Sequence, residues 1–248
     1  MYKRIFLAGF VFALLFSACK KETEEYPSAA ISDYMPLETG KYIIYQLDSV
    51  RYGQTLTPIK TSYQVKYLVD SLIKDNLGRP AYRIYRFIRK TASDPWMEEA
   101  TYLAINTTNS LEFVENNLRF IKLKLPVLQD YTWKGNSFIN TTTDNSAFDF
   151  RYLDGWEYAY DSLDASLDLG AISVENTIKV AQRDDVVGNP GDPNSYSEIN
   201  HAVEYYAKGI GMVYKRFLHS EYQPPTNGSD GYFSEATKGA TFTMIEHN

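Results

Sequence analysis

Tyr63-Gln64-Val65-Lys66-Tyr67-Leu68-Val69-Asp70 decides the fold class of this 248-residue chain. Tyr63, Val65, Tyr67 and Val69 share one parity, and Gln64, Lys66 and Asp70 take the other. That is the period-two pattern of a strand with one buried and one wet face. The same rhythm returns after a turn at Asp75-Asn76-Leu77-Gly78-Arg79-Pro80, where Tyr82, Ile84, Arg86 and Ile88 alternate with Arg83, Tyr85, Phe87 and Arg89. Asp94-Pro95 breaks the chain, and Glu99 to Ile105 reads as the next strand.

Leu111 to Glu115 and Leu118 to Leu125 form a hairpin around Asn116-Asn117, because Asn tolerates the positive φ of a two-residue loop. In the returning strand Leu118 and Phe120 share one parity while Ile121, Leu123 and Leu125 share the other. A bulge near Phe120 reconciles them and bends the sheet. Asn136 to Ser146 reads as a polar loop. Phe148 to Tyr160 carries aromatics on even positions, interrupted at Asp154-Gly155, and Ile172 to Val180 is a strand by composition. Val187 to Ser195 is the strongest loop, with Gly188-Asn189-Pro190-Gly191-Asp192-Pro193. Val203 to Leu218 and Thr237 to Ile245 complete the strands. Gly209 and Gly211 read as a kink or close backbone approach within a strand; no helix follows them, so they do not cradle phosphate.

No window of 11 or more residues carries a 3.6 period without a competing strand reading. The expectation is therefore an all-β protein: a single domain, 34–248, of mainly antiparallel strands. Bulge and glycine devices favour a strongly curved sheet or open, incomplete barrel, with a β-sandwich as the alternative. Twenty-one Tyr and 13 Phe suit such half-buried sheets.

The N-terminus has a different logic. Lys3-Arg4 precede an apolar run from Ile5, and Ser17-Ala18 lead into Cys19, the only cysteine. At 14 residues, Ile5 to Ala18 is shorter than the roughly 20 needed to span a bilayer core. It reads as a signal segment, 1–18. Ser17-Ala18-Cys19 resembles the lipobox of bacterial lipoproteins, with Phe16 where that family prefers Leu. The resemblance implies cleavage after Ala18, thioether lipidation of Cys19 and acylation of the new amino group, so that the membrane is the expected partner, held through a lipid anchor. The alternative is an ordinary secretory signal that leaves a free thiol.

Residues 19–33 follow as lipidated cysteine and flexible tether, charged and Pro-interrupted. Glu22, Glu24 and Glu25 resemble the signal that sends Bacteroidota lipoproteins to the outer face of the outer membrane. The periplasmic face remains the other possibility. Tyr34-Met35-Pro36-Leu37-Glu38-Thr39-Gly40-Lys41-Tyr42, Leu123-Lys124-Leu125-Pro126, Trp133-Lys134-Gly135-Asn136 and the run from Tyr206 to Tyr214 are similar to uncharacterised outer-membrane lipoproteins of Bacteroidota. That family carries no established activity across.

Loss of Lys3 and Arg4 with the leader lowers 25 basic residues to 23 against 31 acidic, a net charge of about −8. An acidic body lacks the basic footprint for nucleic acid. His201, His219 and His247 lie on separate segments, and the penultimate His247 reads as a frayed end. No nucleophile elbow occurs, the nearest being Asn227-Gly228-Ser229-Asp230-Gly231, and no zinc spacing is present, so no catalytic, metal or cofactor residues are assigned. Asp184, Asp185, Asn189, Asp192 and Asn194 are oxygen-rich, but they lack a calcium-loop register and read as turn residues. Glu98 and Glu99 point to opposite strand faces and form no local carboxylate pair. Trp96, Trp133 and Trp156 suit either a sugar-binding face or the core. Asp70-Ser71-Leu72 and Asp161-Ser162-Leu163 resemble O-glycosylation sites of exported Bacteroidota proteins.

Three classes follow. The leading one is a non-enzymatic, lipid-anchored binding or structural module, its concave face able to hold an apolar ligand or lipid. The others are an envelope glycan-active enzyme with paired carboxylates, and a subunit of a surface complex.

Overall fold

The computed structural model describes residues 30–52, 56–142 and 150–248. The signal segment, Cys19, most of the tether and Phe148 lie outside the described residues.

Strand-forming alternation produces one long antiparallel sheet. Its strands are β1 (Tyr42–Tyr52), β2 (Pro58–Lys74), β3 (Pro80–Arg89), β4 (Met97–Asn106), β5 (Ser110–Glu115), β6 (Leu118–Lys124) and β7 (Thr132–Trp133). They continue as β8 (Tyr158–Asp168), β9 (Ser173–Gly188), β10 (Ser197–Ala207), β11 (Gly211–Gln223), β12 (Tyr232–Phe233) and β13 (Lys238–His247). The spatial order is β6-β5-β4-β3-β2-β1-β13-β11-β10-β9-β8-β7, with β12 paired on β11. Each half is a meander, and β1 joins them by pairing with β13. The fold is an all-β, nearly closed barrel with one unsealed seam, between β6 and β7–β8. There a few bonds replace a ladder: Ile121 N–H to Gly135 O (2.8 Å), Trp133 Nε1–H to Ile121 O (2.8 Å), and Lys124 N–H to the Tyr160 hydroxyl (3.0 Å), which itself donates to Lys124 O (2.8 Å).

The alternation of β2 and β3 sorts as the pattern dictates: Val65, Val69 and Ile84 are buried, and Tyr67 opposes Arg86. A run of edge-on aromatics crosses the interior, Tyr45 to Tyr67 at 5.3 Å, Tyr67 to Tyr102 at 5.7 Å and Tyr102 to Phe113 at 5.7 Å between ring centres. The Asn116-Asn117 hairpin forms as expected, both residues at positive φ (53° and 63°), with Glu115 opposite Leu118.

The bulge in β6 lies two residues beyond its expected place. Leu111 pairs with Leu123 and Glu112 with Ile121, so the extra residue is Lys122. Period-two reasoning gives a lysine to solvent, which moved the expected irregularity to Phe120. Bulges also fall on polar residues at Asp70 in β2, Glu99 in β4 and Gln182 in β9, and on apolar ones at Val213 in β11 and Ile245 in β13.

Three further expectations are corrected. The tether's last residues belong to the folded body: Ile31–Tyr34 is a helical turn, α1, with Ile31 and Tyr34 buried. Those apolar side chains find the barrel core, and Gly209 N–H donates to Asp33 O at 2.7 Å. Gly209 does not kink a strand: it sits at φ 77° in the turn between β10 and β11. Gly211 is a close approach, where a Cβ would meet the Ile43 side chain at 3.2 Å. His247 is no frayed end, since it pairs with Ile43 across the β1–β13 ladder.

Candidate functional site

Four charged side chains meet inside the barrel. Glu115 ends β5, Lys122 is the bulged residue of β6, Glu204 lies on β10, and Lys215 is its partner across the β10–β11 ladder. Lys122 Nζ is 2.7 Å from Glu204 Oε1 and 3.5 Å from Glu115 Oε1. Lys215 Nζ is 3.2 Å from Glu115 Oε1 and 3.6 Å from Glu204 Oε1. The Tyr206 hydroxyl donates to Glu204 Oε2 at 2.7 Å. Glu204 is among the most deeply buried side chains of the molecule.

Burial pushes both carboxyls up, but the two lysines outweigh it. Lys215 and Lys122 hold Glu115 down at about 2, and Lys122 and Lys215 hold Glu204 below its ordinary value. Burial likewise depresses the lysines, and the carboxylates more than restore them, so both ammoniums stay charged. At neutral pH the quartet is two anions clasped by two cations. Two carboxylates thus face each other within an aromatic interior, yet neither holds a proton to donate. A glycosidase pair needs one carboxyl kept protonated as general acid.

The quartet partitions the interior. Towards α1 lies a space of about 30 Å³ lined by Met35, Tyr45, Leu111, Phe113 and Met212, room for about one water. On the other side a cavity of about 710 Å³ reaches the exposed Asn116-Asn117 tip and Lys238. Glu115, Lys122 and Lys215 line both spaces. The larger cavity's walls include Tyr67, Tyr102, Phe120, Trp156, Tyr158 and Phe242. Its volume falls in the range of about 300–1,000 Å³ typical of small-molecule sites.

Two buried nitrogens around this cavity have no hydrogen-bond partner: Arg86 Nε and Gln182 Nε2. Arg86 is 11% exposed at its side chain and its Nη1 contacts Glu99. Gln182, the bulged residue of β9, is 4% exposed.

The residues singled out from sequence go elsewhere. Among the described residues no group of three or more His, Cys, Asp and Glu is arranged for a metal. Asp192 accepts from Asn194 N–H (2.9 Å) and the Ser195 hydroxyl (2.8 Å), and Asn189 accepts from Gly191 N–H (3.1 Å), which is turn chemistry. Asp184 faces His201 at 3.2 Å and Asp185 faces Arg183 at 2.8 Å. His219 is buried, hydrogen-bonded to Asn200 at 2.8 Å and stacked on Tyr152. Glu98 and Glu99 are both exposed, and Glu99 occupies a bulge, so strict alternation does not govern them. Trp133 and Trp156 are core residues, whereas Trp96 lies on the outer wall with Arg89 over its ring at 4.1 Å. Ser71 and Ser162 are half-buried within β2 and β8.

The quartet itself was missed. Glu115 shares the parity of Leu111 and Phe113, and Glu204 that of Ala202 and Tyr206; a charge on the buried parity was the available signal. No family model, curated protein or solved structure matches this chain.

Proposed function

We propose that this chain is a lipid-anchored protein of the outer membrane, tethered through Cys19 and related to the uncharacterised lipoproteins of Bacteroidota, whose barrel binds a small apolar or amphipathic molecule. It is a binding module and not an enzyme. One observation carries the binding reading: the 710 Å³ cavity walled by aromatic side chains inside a continuous sheet. The glycan-hydrolase alternative has its two carboxylates, Glu115 and Glu204, but both are ionised and engaged by the same two lysines.

The test is titration with N-phenyl-1-naphthylamine, a neutral apolar dye that fluoresces out of water. Saturable binding of one dye per chain is expected, and Ala240→Trp, which fills the cavity from β13, abolishes it with the fold intact by circular dichroism. Absence of saturable binding, or dye binding indifferent to Ala240→Trp, refutes the reading. The anchor has its own test: Cys19→Ala moves the protein from the detergent phase to the aqueous phase.

A further inference from the structure

The cavity's charge is lopsided. Arg86, Lys122, Lys215 and Lys238 line it, against one lining carboxylate, Glu115. Glu204, on the quartet's far side, balances one of the lysines, and Glu99 reaches Arg86 from the outer end. Even so, the Arg86 Nε–H donor and the Gln182 amide remain buried with no acceptor. A buried donor left unpaired costs free energy comparable to a lost hydrogen bond, so such groups call for an explanation. A ligand that brings acceptor oxygens supplies it.

The donors have an order. Arg86 stands opposite Tyr67 in the β2–β3 ladder, and the Tyr67 hydroxyl, raised chiefly by burial, is pulled back by both Arg86 and Lys215. Tyr102, beside Tyr67, feels the same two cations. Lys215 Nζ lies 5.8 Å from the Phe242 ring centre, itself 6.3 Å from that of Tyr67, so Arg86 from β3 and Lys215 from β11 both reach into the cavity around Tyr67 beside the quartet. Gln182, on β9, lies half a circuit of strands from β3, across the cavity. Between these poles Tyr67, Tyr102, Phe120, Trp156, Tyr158 and Phe242 supply an aromatic wall, with Lys238 and the Asn116-Asn117 tip as further polar lining.

We infer that the cavity selects an amphipathic carboxylic acid, with its carboxylate seated against Arg86 and Lys215 and its apolar body along the aromatic wall. A chain hydroxyl or carbonyl on that body is the acceptor that Gln182 supplies a donor for. The inference rests on the binding reading above and adds the head group. The Lys122–Glu204 and Lys215–Glu115 pairs act as the charged floor: they keep both lysines protonated and pre-placed, so the incoming anion needs no reorganisation of the site.

Competition against bound N-phenyl-1-naphthylamine by hexadecanoic acid and by hexadecanol, equal in length and differing in charge, tests it. The acid displaces the dye at about tenfold lower concentration or better, the difference a charge-assisted hydrogen bond supplies. Arg86→Gln weakens the acid about tenfold more than it weakens dye or alcohol, and Arg86→Lys restores most of the preference. Hydroxy acids bind more tightly than the plain acid to the native protein, and Gln182→Leu removes that margin. Equal displacement by acid and alcohol, with the dye bound, overturns the anionic head and leaves the cavity reading standing. An acid preference unmoved by Arg86→Gln overturns the placement of the head. Failure of dye and acid alike to bind overturns both readings.

Discussion

The barrel wall carries two four-membered ion networks, one on each face of the same hairpin, and they differ in kind. Glu115 and Lys122 face inward, and Glu112 and Arg119, each three residues earlier, face outward with Asp75 and Arg79 from the β2–β3 turn. The outer network is a set of forks. Arg79 grips Glu112 through both terminal nitrogens (3.1 and 2.7 Å) and Asp75 through Nε and Nη2 (3.0 and 2.8 Å), and Arg119 contacts Glu112. Asp75 also accepts backbone bonds from Leu77 and Arg79, and its carboxyl is held at about 2, chiefly by Arg79. Such geometry pins a turn to a wall. The inner network uses lysines, compact point charges that can re-aim, and it borders a cavity. Arginine forks hold structure here; lysine ammoniums hold a site ready.

Removing one member separates the two most sharply. Lys122→Met leaves Glu204, 1% exposed, with the Lys215 contact at 3.6 Å as its remaining ion pair, beside the neutral Tyr206 hydrogen bond. A buried charge stripped of its main partner costs about 3–5 kcal/mol, so chemical denaturation should show a loss of that order. A loss below about 1 kcal/mol would mean that water reaches Glu204 and the quartet is not a dry site.

Replacing all four inner residues has a different consequence. Glu115→Leu, Lys122→Met, Glu204→Leu and Lys215→Met together trade a desolvated ion cluster for packing, an exchange that is often neutral or stabilising by about 1–4 kcal/mol. The variant should match or exceed the native protein at pH 7 while losing its preference for acids over alcohols. Its acid response should flatten as well. Glu115 is held at about 2 when folded, against about 4.3 unfolded. A depressed folded value stabilises above the unfolded pKa, and that contribution is lost as pH falls from about 4.3 towards 2. The variant lacks it, while Asp75 keeps the outer network's share. A quadruple variant as acid-sensitive as the native chain would place that sensitivity outside the barrel.

The same hairpin shows what could be read from sequence. Alternation of Tyr63 to Val69, the Asp75–Pro80 turn and the Asn116-Asn117 loop gave strands, a turn and a hairpin, because burial and positive φ are local properties; the open-barrel class came from bulge and glycine devices, of which the bulge sits at Lys122 and Gly209 sits in a turn. The site was hidden by the same rule. A lysine or glutamate in an alternating strand is assigned to water, so Lys122 and Glu204 were passed over. Their partners lie 82 residues apart in the chain, and only barrel closure brings them together. Gln182 and Lys122 face inward with the help of bulges, whose position depends on the neighbouring strand. Gly209 was misplaced for a related reason: a two-strand run with a tight glycine turn reads as one bent strand until its pairing is known.

The smallest effect sharpens the contrast through screening. Glu112→Gln keeps the shape and removes one outer charge; Arg79 retains Asp75, and both arginines have exposed edges, 33% and 21%. The cost should be about 1–2 kcal/mol at low salt. Salt at about 1 M shortens the screening length to about 3 Å, which reaches the rim of the outer network more readily than the enclosed quartet. The Glu112→Gln penalty should therefore shrink with salt while the Lys122→Met penalty holds. Denaturation midpoints of the two variants and the native protein at about 0.1 and 1 M salt decide it. Equal attenuation of both penalties would show that ions enter the cavity as freely as they bathe the outer wall, and the quartet would then be a hydrated surface cluster, not a pre-placed floor.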